Sequence, residues 1–549
     1  MLFLSCAGQA PPSGGPPDST PPQIIDSYPL PNSLQFNGKK IVLKFSEYVD
    51  RTSVEQSVFF SPPVGTVFFD WGGTDVEISF SDSLRPNTTY ILTIGTDVID
   101  RRNRNRMAST FALPFSTGEV IDSAAIFGQV FAKPPDGVMI YAYKLDGLDP
   151  DTLNPTHTKP DYLTQTGSDG TFRLTNLALG SYRLLAVRDQ FKNLLYESQT
   201  DEYGVPSTYT RVSRDSMFVT DVFFQLTKED TTAPFLSSAR SLERSHVLLR
   251  FSEPITLPPL DGKSLFIVDT LNNSALNIID VSPVESALAD IQLTTVPQES
   301  LATYRVVVAN VRDLHDNIIH SDLNKAVFTA ATNPDTLKPS MELIGFQDST
   351  RNVQTDDTIR FSFSKAVQKQ MFERGFELLD ADKNKMKGDF VWVGSVSASF
   401  IPARQLELGK WYTINIHLDS LKDYSGQFAG DSIWTRRFQM VEEKYLGSIA
   451  GVVRDESWSF GPIHITVSEI SNNNIKTRQT VADSSRGFMF HHLPEGRYVL
   501  SAFCDADSNG AYTFGKPFPY QLAERFSSKN DTLKVRARWP LEGVAIKIK

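Results

Sequence analysis

The sequence predicts an all-β fold, a tandem array of five β-sandwich modules, and three observations carry the prediction. The chain has 549 residues, past the size at which a single hydrophobic core stops growing, so several domains are expected. Its 37 Phe and 17 Tyr suit pleated, half-buried surfaces, and 32 Gly with 32 Pro suit many turns. Short segments of alternating apolar and polar residues recur along the chain at similar spacing.

The first stretch, 1–21, is not part of any module. Gln9 to Pro22 reads QAPPSGGPPDSTPP, which cannot build a core and behaves as an extended tether. Before it stands Met1-Leu2-Phe3-Leu4-Ser5-Cys6, a short apolar run, a small residue and Cys. This resembles the end of a bacterial lipoprotein signal peptide, with Phe3 and Leu4 where Leu and Ala or Ser are commoner. The resemblance implies cleavage before Cys6 and a diacylglycerol on its thiol, hence a lipid anchor in the outer membrane; the cell surface and the periplasmic face both stay open, with the cell surface the leading reading.

One pattern occurs three times. Val42-Leu43-Lys44-Phe45-Ser46-Glu47 matches Leu248-Leu249-Arg250-Phe251-Ser252-Glu253, and Ile359 to Lys365 is a looser copy. Each reads as a strand with one buried face. About 50 residues later come Thr89 to Ile94, Thr303 to Val308 and Trp411 to Ile416. A turn ending in Asp follows each time, at Asp100, Asp313 and Asp423. This layout resembles the bacterial Ig-like domain of S-layer and Bacteroidota envelope proteins, which implies sandwiches of about seven strands over 22–118, 230–333 and 334–443.

A second pattern occurs twice. Gly170-Thr171-Phe172 running to Gly180-Ser181-Tyr182 matches Gly487-Phe488-Met489 running to Gly496-Arg497-Tyr498, with Asp189 over Asp505 and Tyr196 over Tyr512. Both copies look like the carboxypeptidase-regulatory or transthyretin-like β-sandwich, over 119–229 and 444–549.

The net charge of −10 argues against a nucleic-acid partner. The densest basic run, Arg101 to Arg106, reads as a solvated loop tip; contact with lipid headgroups or a partner is the alternative. Two cysteines, Cys6 and Cys504, allow no disulfide framework and no zinc cluster. Cys504 falls at a strand end without a companion that would make it a nucleophile.

Asp505-Ala506-Asp507-Ser508-Asn509-Gly510 has the spacing of a calcium loop, with Asp505, Asp507 and Asn509 as the oxygen donors. Lys516 stands where an EF-hand needs a bidentate Glu, and a hairpin loop whose side chains bond their own backbone is the competing reading. No other cofactor is expected. Glu47 and Glu253 are matched by Lys365 in the third copy, which excludes a shared catalytic role and leaves a strand-end charge near the loop. The eight histidines are scattered, and the adjacent pair His491-His492 should point to opposite faces of a strand.

The tripeptide Asp-Ser/Thr followed by an apolar residue or Thr recurs along the chain. It resembles the O-glycosylation sequon of exported Bacteroidota proteins, with acceptors at Ser19, Ser83, Ser123, Thr152, Ser216, Thr231, Thr270, Ser349, Thr358, Ser420, Ser432 and Thr532. The alternative is turn chemistry that leads into a strand.

No H-E-x-x-H, G-x-S-x-G or P-loop pattern occurs, and no catalytic residue is assigned. The expectation is a non-catalytic lipoprotein, a scaffold or protein-binding accessory subunit of an envelope β-barrel complex, with other envelope proteins as partners. A carbohydrate-binding or adhesive surface role would instead show exposed aromatic platforms, first at Trp71, Trp392 and Trp458. An enzymatic role would need acid, base and nucleophile to converge between modules.

Overall fold

The alternation at Val42–Glu47 becomes the strand Lys40–Phe45, which buries Ile41, Leu43 and Phe45 and exposes Lys40 and Lys44. Its counterparts are His246–Phe251, burying Val247, Leu249 and Phe251, and Ile359–Phe363, burying Ile359, Phe361 and Phe363. Period-two burial of this kind commits one face of each strand to a core and the other to solvent or a neighbour. The computed structural model describes residues 18–147, 150–455, 461–470 and 476–548. Cys6, most of the Pro/Gly tether and Trp458 lie outside them.

Five two-sheet sandwiches follow one another. In the first, the sheet Ile24–Tyr28, Lys40–Phe45, Asp75–Phe80, Val67–Gly72 faces the sheet Val58–Ser61, Thr89–Ile94, Phe111–Ser116. The third and fourth modules repeat this with four strands in each sheet. The second and fifth share a different order. Ala124–Phe131 lies between antiparallel Thr171–Leu177 and parallel Phe218–Gln225. Leu446–Asp455 likewise lies between antiparallel Gly487–Pro494 and parallel Pro540–Ile548. Each module has its own apolar core. No helix among the described residues is long and apolar enough to cross a membrane.

The array is closed on itself. A sixth apolar cluster, built on Tyr141, Tyr143, Leu185, Val187 and Tyr203, covers the outer face of the second module. It receives Phe59 from the first module and Tyr520 from the fifth. The Tyr203 hydroxyl donates to the Gly515 carbonyl at 3.0 Å, Arg183 stacks 4.2 Å from the centre of the Tyr520 ring, and Phe131 meets Phe526 at 5.4 Å. Modules two to five therefore form a loop, and module one docks on module two.

Polar contacts also join the modules. Gln165 Oε1 accepts from Thr96 N at 2.7 Å between modules one and two. Ser395 donates through N to Ser282 Oγ at 2.9 Å and through Oγ to Asp280 at 2.5 Å between modules three and four. Arg478 grips Asp356 with two nitrogens at 3.0 and 2.9 Å between modules four and five, where Lys476 also meets Asp357.

Candidate functional sites at the module junctions

The same latch closes the entrance of each module of the first kind. An aspartate on the incoming linker (Asp18, Asp230 or Asp335) meets the aspartate of the late turn (Asp100, Asp313 or Asp423). An amide from that turn holds the linker. Asn105 Nδ2 donates to the Asp18 carbonyl at 2.9 Å, Asn317 Nδ2 to the Asp230 carbonyl at 2.9 Å, and Gln427 Nε2 to the Asp335 carbonyl at 2.8 Å. The turn aspartates are buried and accept backbone N–H bonds; Asp100 takes four, from Arg102, Asn103, Arg104 and Asn105. Burial pushes the Asp100 and Asp313 carboxyls up, but the N–H and amide donors outweigh it and hold both below the usual range. Asn317→Ala removes the amide that ties linker to turn. It is expected to cost about 1–2 kcal/mol and to speed proteolysis near residue 231, read by limited digestion.

Glu47, Glu253 and Lys365 stand two residues past their strand ends, in the latch itself. Burial first, then the neighbouring aspartates, push the Glu47 and Glu253 carboxyls up. Lys365 instead bridges both aspartates of its latch: Nζ donates to Asp335, to Asp423 at 3.1 Å and to the Leu337 carbonyl at 2.7 Å. A further group, Glu243, His246 and Asp335, gathers at the junction of modules three and four, with Nε2 of buried His246 making no hydrogen bond among the described residues.

The Asp505 loop gathers Asp505, Asp507 and Glu524, whose oxygens come within 4.8 Å of one another. Glu524 lies outside the loop motif, and its counterpart in the second module is Asp201. Asp505 accepts from Asn509 N at 3.0 Å and Gly510 N at 2.9 Å, and Glu524 accepts from Ala506 N and Thr513 N. Asp507 Oδ2 accepts from Asn509 Nδ2 and Thr513 Oγ1, so Asn509 acts here as a donor. The Asp189 loop of the second module is held the same way, by Asn193 N and Leu194 N. These side chains thus form the backbone-bonding hairpin expected of Asp and Asn in turns.

Trp71 and Trp392 occupy equivalent places in modules one and four. Trp71 stacks on Phe45 at 6.2 Å under Arg51 and donates Nε1 to Glu55. Trp392 stacks on Phe363 at 5.7 Å under Lys369 and donates Nε1 to Glu373. Both indoles are half-buried struts between strand and short helix, not open platforms. Among the described residues, the large exposed indole is Trp539, 72% accessible, beside a groove of 570 Å³ with His491, His492 and Arg538. The expectation that His491 and His492 point to opposite faces is corrected here. The register runs from Gly447↔Leu493 to Ile449↔Phe490, so two histidines oppose one residue, and φ at His492 is +54°. This bulge breaks the alternation and puts both rings on the same groove, 6.1 Å apart. A second groove, of 590 Å³, runs between modules two and five along Gln129–Ala132 and Ser501–Phe503.

Of the twelve sequon acceptors, Ser19, Ser83, Ser123, Thr152, Ser216, Thr231, Thr270, Ser349, Thr358, Ser432 and Thr532 are exposed. Ser420 is the exception: it is buried, and its hydroxyl donates to the His417 carbonyl. The aspartates at 18, 230 and 269 cap their own turns, as the turn reading expects. In the basic run, Arg106 bridges modules one and two through Asp97 at 2.9 Å and Asp136 at 3.7 Å, while Arg101, Arg102 and Arg104 are exposed. Cys504 ends the strand Gly496–Cys504 and is buried.

Residues 18–117 and 335–438 match the family model described as the bacterial Ig-like domain. The chain contains bacterial Ig-like domains. The segment between them, 236–329, has the same two-sheet order. None of the curated proteins matches. Among solved structures, the N-terminal part of a bacterial S-layer protein is 13% identical, covers 38% of this chain and has a TM-score of 0.17; the chain spans 44% of that fragment's length. The major pilin subunit of Bacillus cereus is 11% identical over 78% of this chain and 99% of its own, with a TM-score of 0.15. An L,D-transpeptidase from Mycobacterium smegmatis is 10% identical over 38% of this chain and 90% of its own, also at 0.15. At such scores these likenesses carry no weight for function.

Proposed function

We propose that this protein is a non-catalytic structural protein of the bacterial envelope, whose Ig-like and transthyretin-like modules form a rigid frame that holds other envelope proteins. The observation that carries the reading is the closure of modules two to five. Polar groups lock module to module at Gln165, Asp280 and Arg478, which builds a stiff body with exposed edges and loops for protein contacts. In this reading Cys6 carries a lipid that anchors the frame to the outer membrane, at the cell surface, and a β-barrel complex is the partner. The exposed sequon hydroxyls would carry glycans. The test is purification of the full-length protein from detergent-solubilised envelopes after mild crosslinking, with mass measurement of its N-terminal peptide. Recovery with a barrel protein and a lipidated Cys6 is expected; a soluble, partner-free monomer would sink the proposal.

Trp539 favours one second reading, carbohydrate binding. An exposed indole beside two imidazoles and Arg538 is a fit for a sugar face and its hydroxyls. Trp539→Ala should then abolish retention on a glycan array; an array on which wild type and variant behave alike removes this reading.

A further inference from the structure

We propose that the latches of the first and third modules each hold a calcium-class divalent cation between three carboxylates, and that Lys365 is the tethered cation that replaces it in the fourth module. The three latches align position by position along the chain. Linker aspartate, FSE-position residue and turn aspartate are Asp18, Glu47 and Asp100 in the first, and Asp230, Glu253 and Asp313 in the second. In the third they are Asp335, Lys365 and Asp423.

The third latch shows what its two aspartates do: they ligate a positive charge. Lys365 Nζ sits among oxygens of Asp335, Asp423 and the Leu337 carbonyl, an all-oxygen shell. In the other two latches the same pair of aspartates remains and the ammonium is exchanged for a third carboxylate. Among the described residues, neither Glu47 nor Glu253 accepts a hydrogen bond. Oxygen atoms of Asp230 and Asp313 come within 4.8 Å of each other and of a nitrogen of His315, and His315 Nδ1 lies 3.0 Å from Asp230.

Charge and length both point to an ion. Three carboxylates gathered at one module entrance, with Asp100 and Asp313 buried and Glu47 and Glu253 half-buried, repel one another unless a cation joins them. A Glu side chain ends one atom short of a Lys ammonium. A hard cation with oxygens at about 2.3–2.6 Å would fill that gap, where the ammonium stands in the third latch. Two aspartates, a glutamate and nearby main-chain carbonyls form an oxygen set suited to calcium, and calcium tolerates irregular geometry. The Asp505 loop is a weaker candidate, because no cation marks its copy in the second module.

The test is calorimetric titration of calcium into the chelator-stripped full-length protein. Glu47→Lys and Glu253→Lys should each lose one equivalent, the double variant both, and Lys365→Glu should gain one. The double variant in chelator should melt near the calcium-loaded wild type, because each ammonium does the ion's work. Should a lysine variant fail to fold, Glu253→Gln keeps the shape and is expected to weaken calcium binding at one site at least tenfold. A residual equivalent that survives the double substitution belongs elsewhere, such as the Asp505 loop. Wild-type protein that takes up no calcium, or uptake unchanged by the lysine and glutamine substitutions, overturns the proposal.

Discussion

Lys365→Met is expected to destabilise the fourth module by about 3–5 kcal/mol, because it strands two buried carboxylates. The side chains of Lys365, Asp335 and Asp423 are 8%, 5% and 2% exposed, so water cannot replace the lost ammonium. Urea unfolding followed by tryptophan fluorescence reads the effect, since Trp392, Trp411 and Trp434 all belong to this module. The loss should depend on pH. Burial raises the Asp335 carboxyl, but its bonds to Lys365 and Ser425 prevail and hold it below the usual carboxylate range. A depressed folded-state pKa means stabilisation that is complete above the unfolded value of about 4 and lost as pH falls through the folded value. The gap between wild type and Lys365→Met should therefore narrow on acidification below about pH 4. A variant as stable as wild type at pH 7 would show that the buried pair contributes nothing net.

Tyr520→Ala is expected to open the loop of modules two to five. Its ring fills the outer cluster of the second module, carries the Arg183 guanidinium on its face and reaches the Leu184 carbonyl. Truncating a central aromatic anchor of this kind typically costs about 2–4 kcal/mol of interface free energy. The interface is intramolecular and benefits from a high effective concentration, so the expected result is a mixture of closed and open forms. Small-angle scattering should show a larger radius of gyration and a longer maximum dimension than wild type. Tyr203→Phe, which removes only the hydroxyl bond to Gly515, should stay closed. An unchanged scattering curve for Tyr520→Ala would mean that the modules are held together by other contacts.

The strand content and the tandem all-β architecture were legible because burial in a sandwich imposes a two-residue period on each strand, and three copies of one pattern and two of another reinforce it. The latch aspartates were visible as landmarks for the same reason. Their role was not, because Glu47 and Lys365 look like opposite residues in a string and become equivalent only when each is placed beside its two aspartates. The alternation rule failed at His491 and His492, where one extra residue opposite Ser448 turns both rings to one side. Trp71 and Trp392 looked like surface platforms because the strand pattern does not tell which short helix will offer Glu55 or Glu373 to the indole nitrogen. Glu524 completes the Asp505 loop from a distant stretch of chain, although comparison of the two copies, with Asp201 in its place, held a signal of it.

Local periodicity and repetition were enough to establish that the chain is an all-β tandem array with two recurring patterns, because both are short-range properties written within each sandwich. That the row bends round until Tyr203 meets Gly515 follows from apolar surface that each module leaves uncovered, at Tyr141 and Tyr143 on one side and Tyr520 on the other. Such surface carries no marker of its partner in a linear sequence, and the pairing emerges only when sandwiches already folded bury it against each other.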